Sequence, residues 1–253
     1  MAVSVAVPAQ SSPATTKNSH AVDKSNRQLP LTRLLPHTLV TTDFDAQKFH
    51  AAASLQLPLR LGASAVAATD TRLIASPYNA PAHLLDLETL DTQDRLLALA
   101  LATFKPIRDD YATATYTESF NWSEVLDLVR TLAHAEGHAW TAQSFYVVVF
   151  RSKLQEDADP DRLYALDAHS HQEATASGGL LKYWFGTKDE NHQNLATCLW
   201  RSREDARLGG RGPWHAQARA AAQELYKHIL FTTLKLVIKD EATSWTISDW
   251  DET

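Results

Sequence analysis

Two short runs in this chain carry residues able to move protons. Pro213-Trp214-His215 opens one helix-like stretch, and His169-Ser170-His171 sits inside another. Imidazole titrates near neutrality, so it serves as a general acid or base. Trp214, Ala218, Ala221, Ala222 and Leu225 would form the apolar stripe of the first helix. His215 falls at the edge of that stripe, in a row with Ala222 and Tyr226, where a side chain reaches the rim of a cavity. The plainer reading of His215 is a structural hydrogen bond at a helix start. His169 and His171 are two positions apart, so their rings point roughly 200° apart on a helix and cannot meet on one ion. Either ring can still face a cavity, with Tyr164 and Asp167 beside it. No dedicated metal centre is expected, and none of these runs is a catalytic motif of high specificity.

Aromatic and basic residues complete the candidate set. Tyr183, Trp184 and Trp200 lie on strand-like runs and, with Trp214 and Tyr226, could shape a pocket for a flat apolar molecule. Side chains alternate along a strand, so Tyr183 and Phe185 face one side and Trp184 the other. Arg201, Arg203, Arg207 and Arg211 gather around Gly209-Gly210-Arg211-Gly212, and Arg203 could help dock a carboxylate near a helix N-terminus. Glu204 and Asp205 stand among them, which also reads as a solvated salt-bridge surface.

The elements that must position these residues are legible in the second half. The pattern gives a strand over Ser144–Lys153, a helix over Asp161–Ala176, strands over Leu180–Gly186 and Leu195–Arg201, a helix interrupted by glycines, and a last strand over Ile229–Lys239. This order, β-α-β-β-α-β, is the split βαβ arrangement of a ferredoxin-like sheet. Phe145 to Phe150 are apolar at successive positions, as in a strand covered on both faces. Two helices can cover only one face of such a sheet. The first half of the chain, or a second copy of the sheet, must cover the other.

The fold class expected is therefore α+β, with a ferredoxin-like domain over 141–240, a mixed α/β region over 30–140, a disordered tail over 1–29 and a C-terminal tail over 241–253. The tail over 1–29 is rich in Ser, Thr, Ala, Asn and Pro and lacks a hydrophobic period. In the mixed region, Asp43–Leu55 reads as a helix and 64–76 and 82–87 as β-like. Asp91–Phe104 reads as a helix capped by Asp91 and ended by Lys105-Pro106. Tyr111–Thr117 reads as a strand, and Trp122–Glu136 as a helix with an Asn121/Glu124 capping box and Gly137 at its end.

Composition narrows the class of function. The 253 residues are 44% hydrophobic and 21% charged with net charge −6, which suits a soluble globular protein and gives nucleic acid no basic face. No apolar run reaches the length needed to span a bilayer. The one cysteine, Cys198, excludes an internal disulfide, and a cytoplasmic location is the default.

The run Leu199-Trp200-Arg201-Ser202-Arg203-Glu204-Asp205-Ala206, followed by Pro213-Trp214-His215-Ala216-Gln217-Ala218, resembles the dimeric α+β barrel proteins, the antibiotic-biosynthesis monooxygenase group among them. The likeness covers 144–240. The whole chain also resembles a fungal protein family in which an N-terminal region precedes this domain. The barrel resemblance implies two sheets paired face to face in a homodimer, with an apolar cavity between each sheet and its helices. It implies cofactor-independent oxidation, isomerisation or cyclisation of a small hydrophobic molecule, which could carry a carboxylate. His215 would transfer the proton, and Tyr183, Trp184, Trp200, Trp214, Tyr226, His169, His171 and Arg203 would hold the substrate. No cofactor is expected, with haem or non-haem iron left open by the resemblance. The reading from a different class is a non-catalytic ligand-binding or stress-related dimer using the same cavity.

Overall fold

The computed structural model describes residues 71–251. The tail expected over 1–29, the helix expected over Asp43–Leu55 and the first part of the β-like stretch 64–76 lie outside the described residues. The described chain starts with two short antiparallel strands, β1 (Arg72–Leu73) and β2 (Leu85–Asp86), separated by a loop that ends in a 3₁₀ turn at Pro81–His83. Helices α1 (Thr92–Ala100), α2 (Tyr116–Ser119) and α3 (Trp122–Glu136) follow.

From Gln143 the order is β3 (Gln143–Leu154), α4 (Pro160–Ser177), β4 (Leu180–Phe185), β5 (Gln193–Trp200), α5 (Arg203–Gly209), α6 (Pro213–Leu225) and β6 (Tyr226–Ile238). The sheet runs β4-β5-β3-β6, antiparallel throughout, and β7 (Trp245–Asp249) adds a fifth strand outside β6. This is the α+β, ferredoxin-like βαββαβ arrangement. The segment read as a C-terminal tail thus extends the sheet, because Thr246 and Ile247 alternate across from Val237 and Leu236.

Local signals explain most boundaries. Asp91 accepts from the Asp94 N–H at 2.9 Å and starts α1. Ser202 does the same for α5 through the Asp205 N–H at 3.1 Å. Pro213 sits in the first turn of α6, where its missing N–H costs nothing. Gly137 ends α3 with φ +67°, the left-handed conformation a glycine adopts without strain.

Two local expectations are corrected. Asn121 does not cap α3; its side chain is drawn to the preceding loop, accepting from the Lys105 N–H at 2.9 Å and donating to the Thr103 carbonyl at 3.0 Å. Tyr111–Thr117 is a turn running into α2, not a strand. The Arg151 guanidinium donates to the carbonyls of Tyr111, Ala112 and Ala114, so a side chain takes the acceptors a neighbouring strand would have used.

The successive apolar residues of β3 divide between two layers. Phe145, Val147 and Val149 are 1%, 0% and 2% exposed and pack with Leu97, Phe120, Val129 and Trp140. The first half of the chain therefore covers this face. The face that a second sheet would occupy in a face-to-face barrel is filled from within, so the expected sheet-on-sheet pairing has no room there. Tyr146 and Val148 point the other way, into a layer with Tyr183, Trp200 and Ala174.

Candidate functional site

Helix α4 carries the site. Residues four apart on a helix share a face, and α4 uses two such pairs. His169 and Glu173 face α6; Asp167 and His171 face β4 and the loop before β2.

On the first face, Glu173 receives three donors from the start of α6. Its Oε1 accepts the Trp214 N–H at 2.7 Å, and its Oε2 accepts the His215 N–H at 3.1 Å and lies 2.9 Å from His215 Nδ1. The carboxylate thus caps a helix that no local side chain caps. Burial alone would raise the Glu173 pKa, but the Trp214 N–H and the His215 ring and N–H hold it below the usual carboxylate range. An ionised carboxylate accepts only, so His215 presents Nδ1–H to it, and the neutral form of the ring then has Nε2 as its bare nitrogen. The His215 side chain is 25% exposed, so the ring is not sealed in the core. The His169 ring stacks on Trp214 at 4.1 Å and 19°, walling the same corner.

On the second face, the Asp167 oxygens are each taken by a phenol, Tyr78 on Oδ2 and Tyr183 on Oδ1, the latter at 2.5 Å. Burial raises the Asp167 pKa, while the two phenols and His215 pull it back. Burial, then the Asp167 charge, pushes both tyrosines up, so each stays protonated and donates. Beside them the Nδ1 atoms of His83 and His171 lie 2.8 Å apart, and the Gln172 amide reaches His83 Nε2 at 3.2 Å. Gln172 Nε2 can only donate. This places the His83 proton on Nδ1, aimed at His171 Nδ1, and leaves the His171 proton on Nε2. Burial, then His83 and His215, lowers His171 to about 3, and burial with His169 lowers His83. Both imidazoles are neutral at pH 7.

Of the residues singled out in the sequence, His215, Trp214 and His169 meet around Glu173, and Tyr183 and His171 meet around Asp167. Tyr226 sits with Leu166 and Leu225 at the base of α6, its phenol raised to about 12 by burial and Asp167. Trp200 is buried under α5, its ring against Gly209, and serves packing. Trp184 must be corrected: it lies on the opposite face of the sheet, edge-on to Phe120 at 5.1 Å and Tyr111 at 5.3 Å, because alternation along β4 puts it opposite Tyr183. Arg203 is exposed on the first turn of α5, in a surface where Arg201 pairs with Asp205 at 2.8 Å and Arg207 with Glu204. These arginines form the salt-bridged surface. The expected apolar hollow between sheet and helices is occupied by the rings of Tyr78, His171, Tyr183 and Phe185, 5.2–6.2 Å apart. A polar cavity of about 820 Å³ lies elsewhere, between Lys153, Glu156, Glu190, His192 and Lys227.

Sequence reasoning missed Glu173, Tyr78 and His83, and named Asp167 only as a neighbour. The i,i+4 pairs Asp167/His171 and His169/Glu173 were a usable signal. Nothing local marks Tyr78 or His83. Among the described residues, no three His, Cys, Asp or Glu side chains are grouped to hold a metal ion, and no helix is long and apolar enough to cross a membrane.

Comparison with known proteins matches residues 74–249 to a family described as PB2B2.08-like. The UPF0643 protein PB2B2.08 of Schizosaccharomyces pombe is 41% identical over 186 residues, covering 70% of this chain and 84% of that protein. Among solved structures, Rv0793 from Mycobacterium tuberculosis is 22% identical, covering 36% of this chain and 92% of its own, with a TM-score of 0.32. SnoaB from Streptomyces nogalater, described as a cofactor-independent oxygenase, is 11% identical, covering 36% and 90%, with a TM-score of 0.30. A dimeric protein of ferredoxin-like fold from Bacteroides fragilis is 14% identical, covering 35% and 93%, with a TM-score of 0.27.

Proposed function

The chain belongs to the PB2B2.08-like family, and from its site we propose an enzyme that removes a proton from a small hydrophobic molecule. The observation that carries this is the Glu173–His215 pair: a carboxylate 2.9 Å from Nδ1 fixes the imidazole so that Nε2 can act as base. Isomerisation, cyclisation and cofactor-independent oxidation of a stabilised carbanion all begin with that step. His169 and Trp214 would offer a flat apolar wall to the substrate, and the phenols of Tyr78 and Tyr183 would steady an adjacent oxygen once they leave Asp167. A homodimer, which the barrel resemblance implied, would use a surface other than the filled face, such as the β6 strand where Leu230 and Phe231 are 50% and 56% exposed.

A second reading has one observation in its favour. The rings that fill the space near Tyr183 suit a protein that binds without turnover. The two readings part on deuterium uptake from D₂O into small apolar ketones with acidic α-C–H bonds, followed by proton NMR. The enzyme reading predicts catalysed uptake that falls about 10²–10⁴-fold in His215→Ala. The same substitution should lower Tm by no more than about 4 °C, the effect of one part-exposed hydrogen bond. No uptake above background, or equal uptake by the variant, sinks the enzyme reading.

A further inference from the structure

We propose that the segment Tyr78–His83 is a strap that closes over the Asp167–Tyr183 end of the site at neutral pH and releases as the medium turns acidic. That the strap gates catalysis rests on the function proposed above; its release does not. Tyr78 and His83 are each 5% exposed, while residues 79–82 between them are exposed, so the segment is held by two pegs. One peg is the Tyr78 phenol on Asp167 Oδ2. The other is the His83 ring, stacked on Tyr78 at 4.6 Å and bonded to His171 and Gln172. Just upstream, the Ala75 carbonyl accepts the Tyr183 N–H at 2.9 Å, tying the strap to the outer edge of β4. Release would free Asp167, Tyr183 and His171 together.

The His83–His171 contact is the pH-sensitive part. An Nδ1–H···Nδ1 bond needs one bare nitrogen, and a second proton would set two donors against each other at 2.8 Å. The groups facing His171 are His83 and Tyr78 on the strap, Tyr183 on β4, His215 on α6 and Thr175 on its own helix. Those facing His83 are Tyr78, His169, His171 and Gln172. Burial lowers both imidazoles, so the closed state binds fewer protons than the open one. Closure is then fullest above about pH 6.5 and weakens below it, roughly tenfold per pH unit as the open state protonates His171, with His83 adding to the fall until its own lowered pKa is reached. For His171 this continues down towards about 3. Asp167, raised by burial, opposes this from its raised pKa down to the ordinary carboxylate value of about 3.9, because the closed state takes up that proton first.

Amide hydrogen exchange by NMR tests the strap on the whole chain, with the amides of Val129 and Leu132 in α3 as reference. Between pH 7.5 and 5.5 the protection factors of Tyr183, His83 and Leu84 should fall about tenfold or more while those in α3 hold. In the double variant His83→Phe/His171→Leu, which keeps a ring on Tyr78 and removes both titrating groups, the fall should disappear. A flat profile in the wild-type chain, an equal fall in α3, or a fall that persists in the double variant overturns the strap. Should the variant fail to fold, the wild-type profile against α3 still decides. Neither readout depends on proton abstraction by His215, so loss of deuterium uptake and loss of the strap are separately visible.

Discussion

Replacing Trp184 with alanine should cost the fold about 3–5 kcal/mol in urea denaturation, the usual penalty for emptying a large aromatic site in a packed core. The indole is 5% exposed and wedged among Phe120 and Tyr111, where no helix can move in to fill the space without breaking the α2–α3 packing on the sheet. Any folded fraction should retain deuterium uptake, since His215 lies in the helical layer on the other face of the sheet. A loss under about 1 kcal/mol, or a selective loss of uptake in a protein of unchanged stability, would return Trp184 to the pocket.

At Asp167 the expected result depends on what replaces the carboxyl. Asp167→Leu leaves two buried phenols without an acceptor, each worth about 1–3 kcal/mol, partly offset by removing a carboxylate that burial disfavours; the net loss should be about 2–4 kcal/mol. Asp167→Asn keeps one oxygen to accept and offers an amide that can donate to the second phenol's oxygen, so its loss should stay within about 1 kcal/mol. Equal stability of the two variants in the same denaturation series would show that the tyrosines do not depend on this residue.

The sheet was readable because its signals are local. The run Phe145 to Phe150 announces a strand covered on both faces, Ser202 and Pro213 mark helix starts within a few residues, and Gly137 marks a helix end. The placement of Trp184 shows the limit. Alternation separated it from Tyr183, but only the positions of α2 and α3 reveal which face is core and which meets α4. Asn121 failed as a cap because a loop 16 residues earlier offered it better partners, a contact that no local pattern carries. The site divides the same way. His215 was visible as a stripe-edge residue and His169 as a helix histidine able to face a cavity, whereas Tyr78 and His83 reach the site across about 90 residues of sequence.

Glu173 fixes the His215 ring with its proton on Nδ1, and the proposed chemistry depends on that arrangement. Long-range ¹⁵N–¹H NMR of the imidazole reads this directly, because the protonated and bare ring nitrogens have well-separated shifts. At a pH where His215 is neutral, the wild-type chain should show the Nδ1–H form, and Glu173→Gln, which cannot accept from all three donors, should lose that preference. An Nε2–H form in the wild-type chain would contradict the claim, because the nitrogen assigned to proton abstraction would already hold a proton.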